Sequence, residues 1–362
     1  MSRATVSIVP YLKALTELFG SDLHCKVGSA PRVRLDGVLR KLDAPMLTQE
    51  DTEAMANELM REDLRQEFAR THEADFAFSL SGVGRFRVNV FRARGAVGLV
   101  IRRVAIGAIP LDELGLPEAI GTLAMERRGL VLVTGPTGCG KTTTLAGMID
   151  KINAERECHI VTIEDPIEIL HEDQLSMVNQ REVKVDTAGF HVALRSAMRQ
   201  DPDVILIGEM RDQETVHAAL SAAETGHFVL STLHTQNAQE TIARIIDFFP
   251  PHEQAQIRIS LAGALRGIIG QRLVPRSDSL GRCLAVELLV NTGRVAEAIA
   301  DPDKTSSITE LIKEGGFYGM QTFDHHIISM IRDGLVTVED GVQAASNPHD
   351  VIVDLRRMGL VA

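Results

Sequence analysis

The run Gly-Pro-Thr-Gly-Cys-Gly-Lys-Thr at residues 135–142 has the chemistry of a phosphate-binding loop, because it matches the pattern G-x-x-x-x-G-K-[ST]. Its three glycines permit backbone conformations in which N–H groups point inward at phosphate oxygens. Lys141 would reach the β- and γ-phosphates of ATP, and the Thr142 hydroxyl would ligate Mg²⁺. The predicted nucleotide contacts are Gly135, Pro136, Thr137, Gly138, Cys139, Gly140, Lys141, Thr142 and Thr143.

The flanks of this loop favour a strand before it and a helix after it. Residues 130–134 form an apolar run typical of a buried strand, and Leu145, Met148, Ile149 and Ile152 recur at helical spacing. A glycine-rich turn that binds nothing is the alternative. The strand-turn-helix context favours nucleotide binding, because it places the positive end of a helix behind the phosphates.

Two further strand ends provide carboxylates. Glu164 and Asp165 follow the apolar run 161–163, and Glu209 follows Gly208 at the end of a second apolar run, as acids do in Walker B strands. An ATPase needs such acids to hold Mg²⁺, directly or through water, and to orient the attacking water. Each acid alone could be a solvated loop residue, and the sequence leaves open which of Glu164 and Glu209 activates water.

Two histidines, His227 and His234, bracket a further apolar strand at 228–232. Placed around one strand end beside the nucleotide, they would sense the γ-phosphate; a structural role is the alternative. Strands and helices alternate from about residue 118, which predicts a parallel sheet covered by helices on both faces. Ligands of such sheets bind at the carboxyl ends of the strands.

Composition limits the function classes. With 362 residues the chain is long enough for two or three domains, and 44% hydrophobic residues indicate a folded protein. A net charge of −11, no Trp and two Tyr make nucleic acid an unfavoured partner. Four scattered cysteines suggest reduced thiols in the cytoplasm. No stretch approaches 18 apolar residues, so we expect no direct membrane insertion.

The chain divides by pattern into four parts. Residues 1–104 predict a small α+β domain, in which the stretch 85–91 alternates apolar and polar side chains as a half-buried strand does. Residues 105–117 contain two prolines and two glycines and are the predicted linker. The ATPase domain is expected at 118–290 and a helical region at 291–362.

Together, GPTGCGKTTTLAGMID, VTIEDPIE, VNQREV, ALRSAMRQDPDVILIGEMRDQET and AAETGHFVLSTLHT resemble the secretion ATPase superfamily, and within it the twitching-motility retraction ATPases. The resemblance extends from about residue 8 to 290, and weakly to GMQTFDHHI at 319–327. It implies a RecA-like P-loop NTPase core behind a PAS-like amino-terminal domain. It also implies a homohexameric ring that hydrolyses ATP and works on an inner-membrane pilus platform protein, at the inner face of the cytoplasmic membrane.

The resemblance also implies roles for individual residues. Glu164 matches the acid thought to activate water, Glu209 matches the atypical Walker B acid, and His227 and His234 match the family's His box. In the amino-terminal domain three arginines fall where the family closes over the phosphates; they are Arg87, Arg94 and Arg102. A solvated strand face is the alternative for these arginines.

The sequence leaves the direction of force open. Residues 291–316 do not match the AIRNLIRE stretch of retraction ATPases, whereas the chain also lacks the tetracysteine zinc element and long amino-terminal extension of assembly and type II secretion ATPases. We expect a pilus retraction motor. A motor for pilus assembly or secretion is the near alternative, and a nucleotide-controlled interaction protein with little hydrolysis is the distant one.

Overall fold

The computed structural model describes residues 6–35, 37–279 and 281–361. The chain forms two compact units. The first comprises residues up to Ile106 together with Glu168–Leu170, and the second comprises Gly107–Ile167 and the chain from His171 onward.

The strands, in chain order, are β1 (Asp22–Lys26), β2 (Arg32–Leu35), β3 (Val38–Lys41), β4 (Glu73–Leu80), β5 (Gly84–Ala93), β6 (Ala96–Arg103), β7 (Ala105–Ile106), β8 (Gly129–Thr134), β9 (His159–Glu164), β10 (Ile169–Leu170), β11 (Met177–Glu182), β12 (Val204–Ile207), β13 (Phe228–Leu233), β14 (Leu265–Pro275) and β15 (Arg282–Val290). The α-helices are α1 (Val9–Glu17), α2 (Gln49–Leu59), α3 (Glu62–Thr71), α4 (Glu118–Ala124), α5 (Lys141–Glu155), α6 (Phe190–Ala197), α7 (Gln213–Glu224), α8 (Ala238–Asp247), α9 (Pro251–Ala264), α10 (Gly293–Ala300), α11 (Ile308–Glu314), α12 (Phe323–Arg332), α13 (Val338–Ala344) and α14 (Pro348–Arg357).

The first unit is built on a six-stranded antiparallel sheet in the order β3-β2-β1-β6-β5-β4, beside a two-stranded sheet of β7 and β10. Side chains alternate along β5, so Phe86, Val88 and Val90 are fully buried. They pack in one apolar cluster with residues of α1 and α2 such as Leu12 and Met55. The other face of the sheet carries the polar alternates, including Arg87 of β5 and Arg102 of β6.

The second unit is built on a seven-stranded sheet in the order β11-β9-β12-β13-β8-β14-β15. All neighbouring strands are parallel except β14 and β15, which form an antiparallel pair. Along β8, Leu130 and Leu132 enter one apolar cluster whereas Val131 and Val133 enter another. Both faces are therefore covered, as the sequence predicted, and each fully buried aliphatic side chain contributes about 1.5–3 kcal/mol.

Short-range signals position the helices of this unit. The Asp212 carboxylate accepts from Thr215 N at 2.8 Å and begins α7, as expected of an N-cap.

The four strands predicted from apolar runs are β8, β9, β12 and β13. Strands β11, β14 and β15 were not predicted, because β11 is a polar edge strand and β14 is interrupted by Gly267, Gly270 and charged residues.

The region after β15 is helical, and it packs on the sheet in two ways. Val295, Ile299, Ile308 and Ile312 join the apolar cluster that contains Leu130 and Leu132. Helices α12 and α14 instead form their own cluster with residues of β14 and β15. Within the described part of the chain, no helix has the length and apolar character needed to span a membrane.

Candidate active site

The carboxyl ends of four neighbouring strands meet at one edge of the second sheet. In register, Thr134 of β8 pairs with Leu233 of β13, Ser231 with Ile207 of β12, and Ile207 with Ile163 of β9. The residues that follow these ends therefore share one edge. With strands about 4.8 Å apart, Glu209 lies about 10 Å and Glu164 about 14 Å laterally from the strand that leads to the phosphate loop.

The phosphate loop connects β8 to α5. Gly135, Gly138 and Gly140 have φ of 140°, 77° and 95°, a region that side chains disfavour. Pro136 and Thr137 are exposed at the crest of the loop. The 15-residue helix α5 begins at Lys141, so its free N–H groups and the positive end of its dipole face the loop. This geometry suits a bound phosphate group.

The Lys141 ammonium lies inside the loop. Its Nζ donates to Gly135 O at 2.7 Å and to Pro136 O at 3.0 Å, and it is 3.4 Å from His234 Nδ1. Burial lowers the pKa of Lys141, while the Glu209 carboxylate offsets part of that effect. Burial likewise raises the pKa of the Cys139 thiol, so the cysteine is a neutral packing residue of the loop.

His234 connects Lys141 to Glu209. Because an ammonium only donates, His234 Nδ1 must accept, which leaves the ring proton on Nε2. Nε2 lies 3.5 Å from Glu209 Oε2, and Arg211 Nη2 lies 2.5 Å from Glu209 Oε1. Glu209 is largely buried, whereas half of the His234 side chain is exposed. Lys141, His234 and Glu209 thus form a row of hydrogen-bond donors and acceptors that runs from the phosphate loop to the end of β12.

Glu164 ends β9 and is 9% exposed. Its Oε1 accepts from Thr162 Oγ1 at 2.6 Å and from Gln180 Nε2 at 3.1 Å, so a hydroxyl and an amide orient the carboxylate. Glu209, in contrast, faces the cations Arg211 and Lys141. The two carboxylates thus differ in their observed partners: a hydroxyl and an amide orient Glu164, whereas cations face Glu209.

The expectation that His227 and His234 surround one strand end was wrong. His227 precedes β13, where Phe228 pairs with Gly129 at the start of β8. Its Nδ1 lies 3.0 Å from Ala222 O. Seven residues of extended chain, roughly 23 Å, separate the two histidines, so only His234 reaches the phosphate loop of the same chain. The apolar run located the strand correctly, but its two flanks lie at opposite edges of the sheet.

The three predicted arginines belong to the first unit, where two of them are held by carboxylates. Arg87 forms a bidentate pair with Asp75, at 2.8 and 3.3 Å. Arg102 Nε donates to Asp22 Oδ1 at 2.8 Å. Burial alone would raise the pKa of Asp22, but the hydrogen bonds from Arg102 and Ser21 outweigh it and lower that pKa. Arg94 is exposed in the β5–β6 turn, with φ of 54°.

Sequence reasoning missed the residues that support the predicted ones. Thr162 and Gln180 orient Glu164, and Arg211 pairs with Glu209. Gln271 of β14 lies against the phosphate loop and bonds Thr144, which is 127 residues earlier in the chain. Arg211 and Gln180 lie inside quoted motifs, so motif membership was an available signal; nothing in the pattern around Gln271 pointed to it.

Comparison with known proteins places this site in a family. The model of the Type II/IV secretion system protein family matches residues 32–343. The type IV pilus retraction ATPase PilT of Pseudomonas aeruginosa is 43% identical over 330 residues, which are 91% of this chain and 95% of that protein. A twitching motility protein of Neisseria gonorrhoeae is 42% identical over 321 residues, 89% of this chain and 86% of that protein. A crystal structure of the pilus retraction motor PilT with bound ADP has a TM-score of 0.87 and 45% identity, covering 95% of this chain and 98% of that chain.

The phosphate loop and the acids on neighbouring strand ends define a P-loop ATPase, and the chain belongs to the Type II/IV secretion system protein family. Within that family it is similar to the pilus retraction ATPase PilT over nearly its whole length. The resemblance to retraction ATPases inferred from the motifs is thereby confirmed.

Proposed function

We propose that this chain is an ATP-hydrolysing motor that powers retraction of a type IV pilus and so drives twitching motility. The observation that carries the proposal is the shared strand edge of the second unit. This edge joins a phosphate loop, His234 and two carboxylates in a chain similar to a retraction ATPase over 95% of that protein. A protein that only bound nucleotide would need the loop but not both Glu164 and Glu209.

In this proposal the phosphate loop binds ATP or ADP, as ADP is bound in the related PilT structure. The loop N–H groups and the start of α5 would surround the phosphates, and the Lys141 ammonium would exchange its loop carbonyls for phosphate oxygens. His234, which contacts Lys141 and faces Glu209, would follow the γ-phosphate as it is cleaved. His227 has no part in the site of its own chain.

The residues present fit Mg²⁺, a cation that prefers oxygen ligands and keeps several waters. Thr142 is an exposed hydroxyl at the start of α5, and Glu209 is a carboxylate two strands away. No group of three or more His, Cys, Asp or Glu side chains that could hold a metal occurs among the described residues. Thr142 and Glu209 would hold Mg²⁺ together with phosphate oxygens, Glu209 through water. When bound, the ion would neutralise phosphate charge.

The two acids would divide the work. Glu209 lies nearer the phosphate loop, where it pairs with Arg211 and faces Lys141, and this position suits it to the metal. Glu164, one strand further away and oriented by Thr162 and Gln180, would take the proton of the attacking water.

From the family resemblance we also assign a catalytic role to Arg87, Arg94 and Arg102 of the first unit. Such arginines would neutralise the charge that develops on the transferred phosphoryl group, an effect worth roughly 10³–10⁵ in rate in other nucleotide hydrolases. Asp75 and Asp22 hold Arg87 and Arg102 in defined orientations before they act. The proposal assigns this role from the family resemblance and from the arginine-bearing face of the sheet.

We further propose that the motor is a homohexameric ring and acts on an inner-membrane pilus platform protein at the inner face of the cytoplasmic membrane. If subunits complete one another's sites, ATP turnover per chain rises with protein concentration and then levels off. Constant turnover per chain across a range in which sedimentation shows ring assembly would contradict this part.

The decisive test removes the gene from the source cells and counts surface pili and twitching. Excess pili without twitching, restored by the wild-type gene but not by a Lys141→Ala gene, is the expected result. Cells without pili would mean that the motor extends the filament. Normal pili together with a secretion defect would indicate a secretion ATPase. A purified protein that binds ATP without measurable turnover would support the nucleotide-controlled interaction protein instead.

A further inference from the structure

Strand β14 continues past the end of β8 and reaches the phosphate loop. The last registered pair between the two strands is Gly270 with Thr134, so Gln271 lies level with the first residue of the loop. A Cβ at Gly135 would lie 2.4 Å from Gln271 O, which is closer than any real contact allows. The backbone of β14 therefore supports the loop at its first glycine, and Gly135 is required there for close approach as well as for its φ.

The Gln271 side chain contacts the other end of the same loop. It is fully buried, and its Nε2 donates to Thr144 Oγ1 at 2.6 Å. Thr144 is also fully buried and lies in the first turn of α5, three residues after Lys141. One residue thus contacts both the entry of the phosphate loop, through its carbonyl, and the exit, through its amide.

This buried amide is only half satisfied. Among the described residues, Gln271 Oε1 has no hydrogen-bond partner and is shielded from solvent. A buried acceptor without a partner destabilises a fold, and an apolar side chain of the same shape would avoid that penalty. The presence of Gln271 directly behind a nucleotide-binding loop is therefore better explained by the geometry of the loop than by the stability of the core.

Arg272, the residue after Gln271, anchors β14 on its opposite face. Its side chain lies there because successive side chains of a strand alternate. The Arg272 guanidinium stacks on the Phe323 ring at 3.9 Å and donates to Ala344 O at 2.8 Å. Strand β14 is thereby fixed to the carboxy-terminal helices, and Gln271 acts from a rigid support.

We propose that Gln271 is a positioning residue of the ATPase: it fixes the separation between Gly135 and the first turn of α5, so that the loop N–H groups converge on the phosphates. It acts through Thr144 and Gly135 and does not touch the reacting atoms. The proposal rests on nucleotide binding at the phosphate loop and is independent of pilus retraction.

The test compares Gln271→Met, which keeps the length of the side chain but removes its polar atoms, with the wild-type full chain. We expect the affinity for ADP and for a non-hydrolysable ATP analogue to fall about tenfold, the value of one ordinary buried hydrogen bond transmitted to the ligand. The thermal unfolding midpoint of the nucleotide-free protein should change little, because the variant removes the unpaired Oε1 but also leaves the buried Thr144 Oγ1 without its donor. If Gln271 had only a structural role, nucleotide affinity and the unfolding midpoint would fall together.

Asn291 supplies a matched control, because it follows the end of β15, the strand that pairs with β14. Its Nδ2 donates to Ala262 O and Leu265 O at 2.9 Å, and its Oδ1 is also buried without a partner among the described residues. Asn291→Leu should change the unfolding midpoint and leave nucleotide affinity within twofold. If Gln271→Met and Asn291→Leu weaken nucleotide binding equally, in step with stability, the positioning role is refuted.

The Thr144 side of the hydrogen bond keeps the proposal testable if Gln271→Met fails to fold. Thr144→Val should weaken nucleotide binding as Gln271→Met does, Thr144→Ser should restore it, and the double variant should be no weaker than either single variant. Equal affinity in Thr144→Val and Thr144→Ser would overturn the proposal. Wild-type protein that binds no ADP would instead refute nucleotide binding itself, so the two failures are distinguishable.

Discussion

Replacing Glu164 by Gln tests the assignment of the catalytic base. The amide has the shape of the carboxylate, and its Oε1 can still accept from Thr162 Oγ1 and Gln180 Nε2, which now lie at 2.6 and 3.1 Å. We therefore expect the unfolding midpoint to be unchanged. What the variant loses is a group that can accept a proton from water.

The magnitude for turnover follows from general-base catalysis. Loss of a positioned base lowers the rate by about 10²–10⁴, which corresponds to about 2.7–5.5 kcal/mol of activation free energy. Binding should respond differently. We take the lateral strand-end spacing of about 14 Å as the distance between the Glu164 carboxylate and the phosphate. At this distance, removing one negative charge changes the interaction energy with each unit of phosphate charge by about 0.3 kcal/mol in water and by about 1.2 kcal/mol near a protein surface. Because like charges repel, nucleotide affinity should stay equal or increase.

The assay measures steady-state phosphate release together with the dissociation constant of a fluorescent ATP analogue. Glu168→Gln is the matched control, since this exposed acid lies four residues further along the same segment. It should keep wild-type turnover. If Glu164→Gln retained more than a tenth of the wild-type rate, or lost affinity in proportion to rate, Glu164 would not be the base and Glu209 would become the candidate.

Three further predictions concern other parts of the molecule. His234→Ala should lower turnover by about tenfold to a hundredfold with little change in stability, because the half-exposed ring joins Lys141 to Glu209; unaltered phosphate release would contradict its sensing role. Arg102→Ala should lower the free energy of unfolding at pH 7 by about 1–2 kcal/mol in urea titrations, since Asp22 stays buried. The lowered pKa of Asp22 stabilises the wild type above about pH 3.8 and this stabilisation is lost as pH falls through the folded-state pKa, so the variant should show a smaller acid-induced loss. Burial raises the pKa of Glu287, so its contribution to stability should be full below about pH 4.5 and decline as pH rises through the folded-state pKa. Glu287→Gln should therefore flatten the pH dependence of the unfolding midpoint. An identical slope in both proteins would argue against this contribution.

The carboxy-terminal region illustrates how far sequence patterns reach. The departure from the AIRNLIRE stretch left the direction of force open, although helices were expected there and α10 to α14 are present. The pattern did not reveal that α10 and α11 share the apolar cluster of the ATPase sheet while α12 and α14 pack on β14 and β15. Helical periodicity reports which face of a helix is apolar, but not which surface covers it.

Residue patterns alone predict the phosphate loop, its strand and helix, and the acids at two strand ends, because these features depend on local chemistry and short-range periodicity. The neighbours of each strand become known only from the folded chain. The order β9-β12-β13-β8 brings His234 between Lys141 and Glu209 and leaves His227 at the opposite edge. The pairing of β14 with β8 brings Gln271 under Gly135, and in the first unit the pairing of β1 with β6 gives Arg102 its partner Asp22, 80 residues away. Strand pairing depends on contacts far apart in the chain, and no local pattern encodes them.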